Sequence, residues 1–211
     1  MNVSIIDYGS GNLRSVARAF ERVISEADLK IGVTITNDPK QVAVSDRIVL
    51  PGVGAFADCK KGLDSIPGMI EALEVAVCQS GRPFFGICVG MQLMANLGME
   101  NGPVKGFGWL DAEVHALSSS GQEIKIPHIG WNEVTVSWPT HPIFTGISLG
   151  DHAYFAHSYH TICRHESDVL AFSDYGGEIT AAVGRDNIFG TQFHPEKSQK
   201  VGLKIILNFL S

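Results

Sequence analysis

The chain reads as an α/β protein: a doubly wound, mostly parallel central sheet with a mixed or antiparallel extension in its second half. Three observations lead there. Apolar runs alternate with helical periodicity through the first hundred or so residues, glycine-rich turns close those runs, and from Gly106 to about Arg185 the helical period gives way to short strand-like runs before a last helix.

Asn2 to Asp7 forms a short buried strand, closed by Tyr8-Gly9-Ser10-Gly11. Asn12 then opens a helix whose apolar positions Leu13, Val16, Ala17, Phe20, Val23 and Ile24 recur at three and four, so one face is buried. Gly32 to Thr36 is a second strand, and Arg47 to Leu50 a third, stopped by Pro51-Gly52-Val53-Gly54. The spacing predicts a helix over Ile66 to Gln79, ended by Gly81. Pro83 to Ile87 is a fourth strand, with a helix over Met91 to Leu97 starting almost on top of it. Farther on, Ala112-Leu117 and Lys125-Ile126 flank Ser118-Ser119-Ser120-Gly121 as a hairpin would. Ala153-Ala156, Val169-Phe172, Ile179-Val183 and Ile188-Phe193 read as strands. A closing helix over Ser198 to Leu210 turns Val201, Leu203, Ile206, Leu207 and Leu210 toward the sheet. With no repeat, linker or low-complexity stretch, one domain over 1–211 is expected.

Composition excludes several classes. The net charge is −6 and no Lys/Arg run occurs, so no electrostatic footprint for nucleic acid is present. The longest apolar runs are far too short to span a bilayer. Met1-Asn2-Val3 leads straight into an apolar strand without a basic segment, so no signal peptide is expected and the cytoplasm is the expected compartment. The four cysteines, at 59, 78, 88 and 163, show neither a C-x-x-C pair nor a zinc-ligand spacing. Neither metal nor cofactor is expected, and Cys59, Cys78 and Cys163 read as small buried hydrophobes.

Cys88 differs because of its neighbours. Gly86-Ile87-Cys88-Val89-Gly90 sits between an apolar strand and a helix, the spacing of a nucleophile elbow. Side chains at 86 or 90 would clash in such a turn. The helix N-terminus favours a thiolate, and the Val89 N–H lies where an oxyanion donor is wanted. A buried cysteine in an ordinary glycine-bounded turn is the alternative for this motif alone. A nucleophilic cysteine needs a base, and the base an orienting group. His194-Pro195-Glu196 supplies both: in an extended segment the two side chains project to one side. The histidines at 115, 128, 141, 152, 157, 160 and 165 read as surface or structural groups. Pro51-Gly52-Val53-Gly54 is either a plain tight turn or, beside the elbow, the source of a second oxyanion donor at Val53.

Gly86-Ile87-Cys88-Val89-Gly90-Met91-Gln92 together with His194-Pro195-Glu196 resembles the class I (triad-type) glutamine amidotransferase family, and the likeness runs from Met1 to Ser211. It implies that Cys88 attacks the side-chain amide of glutamine, that His194 carries the proton to the departing ammonia, and that Glu196 orients His194. It also implies that Gly52 and Gln92 help hold glutamine, and that backbone at His157-Ser158-Tyr159 meets its α-amino-acid end. Within the family, Asp7 to Asn12, Pro51 to Phe56, Pro127-His128-Ile129-Gly130-Trp131-Asn132 and Tyr154 to Tyr159 are similar to glutaminase subunits serving a separate (β/α)8 cyclase in histidine biosynthesis. That resemblance implies an ammonia tunnel between two proteins, a heterodimer, a cyclase that makes imidazole glycerol phosphate and AICAR, and a docking face near Asn12, Trp131 and Asn132. Glycines on both sides of Val53 make a peptide flip inexpensive, so a resting state with a carbonyl toward the site is expected, reversed by the loaded cyclase. The alternative is a glutaminase for anthranilate, aminodeoxychorismate, guanylate or pyridoxal phosphate synthesis. Further rivals are a stand-alone cysteine hydrolase, which Gln92 and His-Pro-Glu argue against, and a non-catalytic subunit, which the filled triad argues against.

Overall fold

The computed structural model describes residues 1–118, 124–137 and 141–211. The first half runs β1 (Asn2–Ile6), α1 (Leu13–Glu26), β2 (Gly32–Thr36), α2 (Pro39–Ala43), β3 (Arg47–Gly52), α3 (Phe56–Asp64), α4 (Met69–Leu73), β4 (Phe84–Cys88) and α5 (Val89–Gln92). The second half runs β5 (Leu97–Gly98), β6 (Val104–Lys105), β7 (Ala112–Ala116), β8 (His128–Glu133), β9 (Thr135–Val136), β10 (His152–His157), β11 (Tyr159–Cys163), β12 (Val169–Asp174), β13 (Glu178–Arg185), β14 (Ile188–Thr191) and α6 (Gln199–Leu210).

The main sheet has the order β2-β1-β3-β4-β14-β13-β12-β9. Its first five strands pair in parallel and its last four antiparallel, β14 belonging to both groups. The expected α/β sheet with an antiparallel extension is therefore the observed one. From β1 the chain steps outward to β2 and then back across β1 to β3. Such a reversal opens a crevice at the carboxyl ends of the strands, and both Pro51-Gly52 and Cys88 lie at those ends. Val3, Ile5, Ile48, Val49, Phe84 and Phe85 are fully buried, as strands covered on both faces require. α1 packs on α6, with Phe20 edge-on to Phe209. Two smaller sheets, β11-β7-β5-β6 and β8-β10, flank the main one.

Several boundaries differ from the sequence expectation. β3 continues through Pro51 and Gly52, which stand opposite Ile87 and Cys88 in the parallel register. The predicted helix over 66–79 starts only at Met69, after Gly68 at φ 83°, and loosens into a π-helical stretch over Glu74–Gln79. The predicted helix over 91–97 is instead α5 over 89–92 followed by turns, because Asn96 N–H leaves to bond Ala112 C=O. Ala112-Ala116 does not pair with Lys125-Ile126. Its partner is β11, and Lys125 C=O accepts from the Tyr175 hydroxyl at 2.7 Å. Residues 119–121 of the expected hairpin loop lie outside the described residues. The buried face of α6 is Val201, Ile205, Ile206, Phe209 and Leu210; Leu203 and Leu207 are half-buried at the edge of a groove beside α1. No helix among the described residues is long and apolar enough to cross a membrane.

Candidate active site

The turn between β4 and α5 holds Cys88 at φ 55°, ψ −112°, a conformation that L-residues rarely adopt. Strain of this kind persists only where the surroundings leave no choice. A Cβ built on Gly86 would lie 2.5 Å from the Gly90 carbonyl oxygen, and one on Gly90 would overlap the Leu50 carbonyl of β3. The clash expected at both glycines is thus present. At Gly52 a Cβ would meet Gly90 N at 2.7 Å and the Tyr8 hydroxyl at 2.9 Å, so β3 and the elbow touch backbone to backbone. Cys88 is 3% exposed, on the wall of a cavity of about 200 Å³.

His194 follows β14 and faces that cavity. Its N–H bonds Tyr154 C=O at 2.9 Å, and Ser198 Oγ donates to its carbonyl at 2.7 Å, so the backbone is fixed on both sides. Its ring Nδ1 is 2.9 Å from Glu196 Oε1, both side chains almost fully buried. With Nδ1 committed to Glu196, Nε2 is the nitrogen left for Cys88, which lines the same cavity. The expected route to this pairing needs correction. Residues Pro195–Lys197 form one 3-10 turn, not an extended run, and it is the turn that brings Glu196 back under His194. Burial by itself lowers the imidazole's pKa. The Cys88 and Glu196 contacts outweigh it and carry the group from 6.5 up to about 9.

Gln92 reaches the same cavity from α5. Its Nε2 donates to Tyr159 C=O and to Gln192 Oε1, each at 2.9 Å. Gln192 in turn directs its Nε2 at Cys88 Sγ, 3.6 Å away. With both amide hydrogens of Gln92 committed, what that side chain offers a ligand is its carbonyl oxygen. His157, Ser158 and Tyr159 line the opposite wall, joined by Glu100, which sequence reasoning did not single out.

Val53 is a correction. Its N–H does not face Cys88 here: it donates to Ser10 Oγ at 3.3 Å, while the same hydroxyl donates to Val53 C=O at 2.6 Å. The buried thiol of Cys59 also donates to that carbonyl, at 3.5 Å. Both polar groups of Val53 are therefore taken by Ser10 and its neighbour, and the resting carbonyl points to Ser10 and not into the site. Of the remaining thiols, Cys59 is buried as expected, Cys163 is half-buried, and Cys78 is exposed, contrary to expectation, on the outer face of the π-helical stretch. Asn12 stands at the start of α1 without capping it, whereas Trp131 and Asn132 lie on β8.

The model of the family described as "Glutamine amidotransferase class-I" matches residues 4–211. The chain belongs to that family. Relatives narrow its position within it. It is 56% identical over 213 aligned residues to the "Imidazole glycerol phosphate synthase subunit HisH" of Brucella suis biovar 1, covering 100% of this chain and 98% of the relative. The protein of the same description from Rhizobium meliloti is 54% identical at the same coverage. Two solved structures share the fold at low identity. A glutamine amidotransferase from Thermotoga maritima superposes with TM-score 0.61 at 18% identity, over 93% of this chain and 76% of the other. The glutaminase domain of Trypanosoma brucei CTPS gives 0.68 at 18% identity, over 100% of this chain and 92% of the other.

Proposed function

We propose that this class I glutamine amidotransferase is the glutaminase subunit of an imidazole glycerol phosphate synthase, acting through Cys88, His194 and Glu196. The observation that carries the chemistry is one imidazole held at Nδ1 by a buried carboxylate and lining the same small cavity as a thiol on a strained elbow. A positively charged imidazole beside the sulfur stabilises thiolate, the nucleophilic form. Cys88 Sγ adds to the carboxamide carbon of glutamine, and the charge that develops on oxygen needs donors. Val89 N–H is one. As the C–N bond breaks, His194 Nε2–H gives its proton to the leaving nitrogen, which departs as ammonia. A γ-glutamyl thioester remains on Cys88. His194, now neutral, takes a proton from water, hydroxide attacks the thioester, and glutamate leaves.

The cavity suits an α-amino acid. Glu100 supplies a carboxylate for the ammonium, backbone at Ser158-Tyr159 faces the carboxylate end, and Gln92 offers its carbonyl oxygen to the carboxamide NH2. Ammonia passes to a (β/α)8 cyclase subunit, in the cytoplasm, with residues 1–211 as one domain. Exposed Ile129 and Trp131 on β8, together with Asn132 and Asn12, form the docking face. Glutamine hydrolysis by the chain alone and with cyclase plus its nucleotide substrate tests this: the account predicts strong stimulation, and equal rates contradict it.

Two substitutions test parts of it. Glu196→Gln leaves the shape but weakens the hold on imidazolium, and glutamine turnover falls about 10²- to 10⁴-fold. The sign with pH follows from His194. Its folded pKa of about 9 exceeds the free value of 6.5, so the stabilisation from its partners is complete below pH 6.5 and lost as pH rises through 9. Denaturation midpoints of the native chain and Glu196→Gln should therefore differ most at pH 6 and converge above pH 9. Ser10→Ala removes the hydroxyl that occupies Val53. The peptide is then freer to turn its N–H to the oxyanion, and turnover without cyclase rises by about 3- to 10-fold, the weight of one hydrogen bond. No rise in a steady-state assay would mean that Ser10 does not hold the strand back.

A further inference from the structure

Six polar groups outside the triad form one continuous chain that ends at the nucleophile. Asn132 Nδ2 lies 3.4 Å from His128 Nε2; His128 Nδ1 lies 3.0 Å from His157 Nε2; His157 Nδ1 lies 2.9 Å from Tyr159 C=O. The same carbonyl receives Gln92, which bonds Gln192, which points at Cys88 Sγ. Donor and acceptor roles along it follow by elimination. A carbonyl only accepts, so His157 carries its proton on Nδ1 and presents a bare Nε2. His128 must then donate from Nδ1, which leaves its own Nε2 bare. Asn132 fits that end, because its NH2 also donates to Asp174 C=O at 2.9 Å while its oxygen accepts from Glu133 N–H at 2.9 Å. Every link is satisfied only with both imidazoles neutral and both protonated on Nδ1.

The surroundings hold them so. His128 is stacked between Tyr175, at 3.9 Å between ring centroids, and Phe155, at 4.8 Å. Burial pushes the His128 imidazole down to about 4 and that of His157 down to about 3. Neither ring carries charge at neutral pH, so the hydrogen bonds keep one polarity from Asn132 to the Tyr159 carbonyl, into which Gln92 donates from the other side.

The geometry points to His128 as a positioning residue for the glutamine site: through His157 it fixes the Tyr159 carbonyl and hence the rotamers of Gln92 and Gln192. This rests on the glutaminase reading above. It assigns a task to three residues, His128, Gln192 and the side chain of His157, none of which is a member of the triad. The head of the chain, Asn132, follows exposed Trp131 on β8 and turns its own side chain inward to His128 and Asp174 C=O.

The test uses two substitutions at one position. His128→Phe keeps a flat ring between Tyr175 and Phe155 but removes both hydrogen bonds; His128→Asn returns a donor near Nδ1. In complex with the cyclase, His128→Phe should raise KM for glutamine about 10-fold with a smaller change in kcat, and His128→Asn should recover most of it. A purely structural role would lower thermal stability in both without that split. The second readout is independent of activity. The 15N shifts of the imidazoles in the isolated chain at pH 7 should report Nδ1–H for His128 and His157, and His128→Phe should let the Nε2–H form appear at His157. An Nε2–H or charged ring in the native chain, or an unchanged KM in an active complex carrying His128→Phe, overturns the assignment. A native complex without glutaminase activity would instead sink the functional reading, and the 15N shifts would still decide the chain of tautomers.

Discussion

Cys88→Ala reduces glutamine hydrolysis by about 10⁴- to 10⁶-fold, as removal of a covalent nucleophile does when the rest of a triad is left with nothing to activate. The binding groups remain. Gln92, Glu100 and the Ser158-Tyr159 backbone line the cavity whichever residue stands at 88, so glutamine still binds. Folding is barely touched. The φ of 55° at this position strains any residue with a Cβ, so alanine inherits the strain and adds none. The loss is the contacts of one sulfur atom, about 1 kcal/mol. Stopped assays for glutamate and a urea titration on the same preparation separate the two effects. A variant that keeps its midpoint and loses turnover fits the account, whereas one that retains a tenth of its turnover does not.

The second large effect is structural. Gly90→Ala asks for a methyl group where the Leu50 carbonyl already lies, and that carbonyl is part of β3 in the middle of the main sheet. Neither side yields easily. Gly52, two residues on from Leu50, is itself pressed against Gly90 N and Tyr8, and Gly86 is closed off by the Gly90 carbonyl. Relief requires the elbow to move off β3, which separates Cys88 from His194 and opens the floor of the cavity. A loss of about 3 kcal/mol or more is expected, at the upper end of overpacking effects because backbone, not a side chain, must give way. Denaturant unfolding should show a lower midpoint, and turnover should fall even in the fraction that folds. An unchanged midpoint would mean that β3 and the elbow are less tightly opposed than the glycine contacts require.

Much of this is legible in the sequence, and the reason differs by feature. The elbow and the His194-Pro195-Glu196 segment are local: each is a short run whose spacing carries its geometry, even though a 3-10 turn rather than an extended step joins the ends of the second. The parallel half is legible because β1, β3 and β4 are continuous apolar runs. α3 carries its own signal, Phe56, Cys59 and Leu63 on one face, but the glycine-rich turn before it masks the start. The antiparallel half is harder. Ala112-Ala116 alternates as a strand should, but nothing local says that its partner lies at 159–163 and not at 125–126. Long-range polar contacts are the least legible. Ser10 meets Val53 across 43 residues, His128 meets His157 across 29, and Gln192 meets Cys88 across 104. Each looks in sequence like an ordinary polar residue, and only the fold gives it a partner. The exposed Cys78 shows the converse: a small apolar residue on a π-helical stretch whose looser turn rotates it outward.

Central to the account is a covalent intermediate on one sulfur. The direct measurement is the mass of the chain after rapid acid quenching of a complex with cyclase during glutamine turnover, followed by peptide mapping. The account predicts one γ-glutamyl group, on Cys88, and none in Cys88→Ala. Sustained ammonia release with Cys88 never acylated, or with the adduct on Cys59, Cys78 or Cys163, would contradict it.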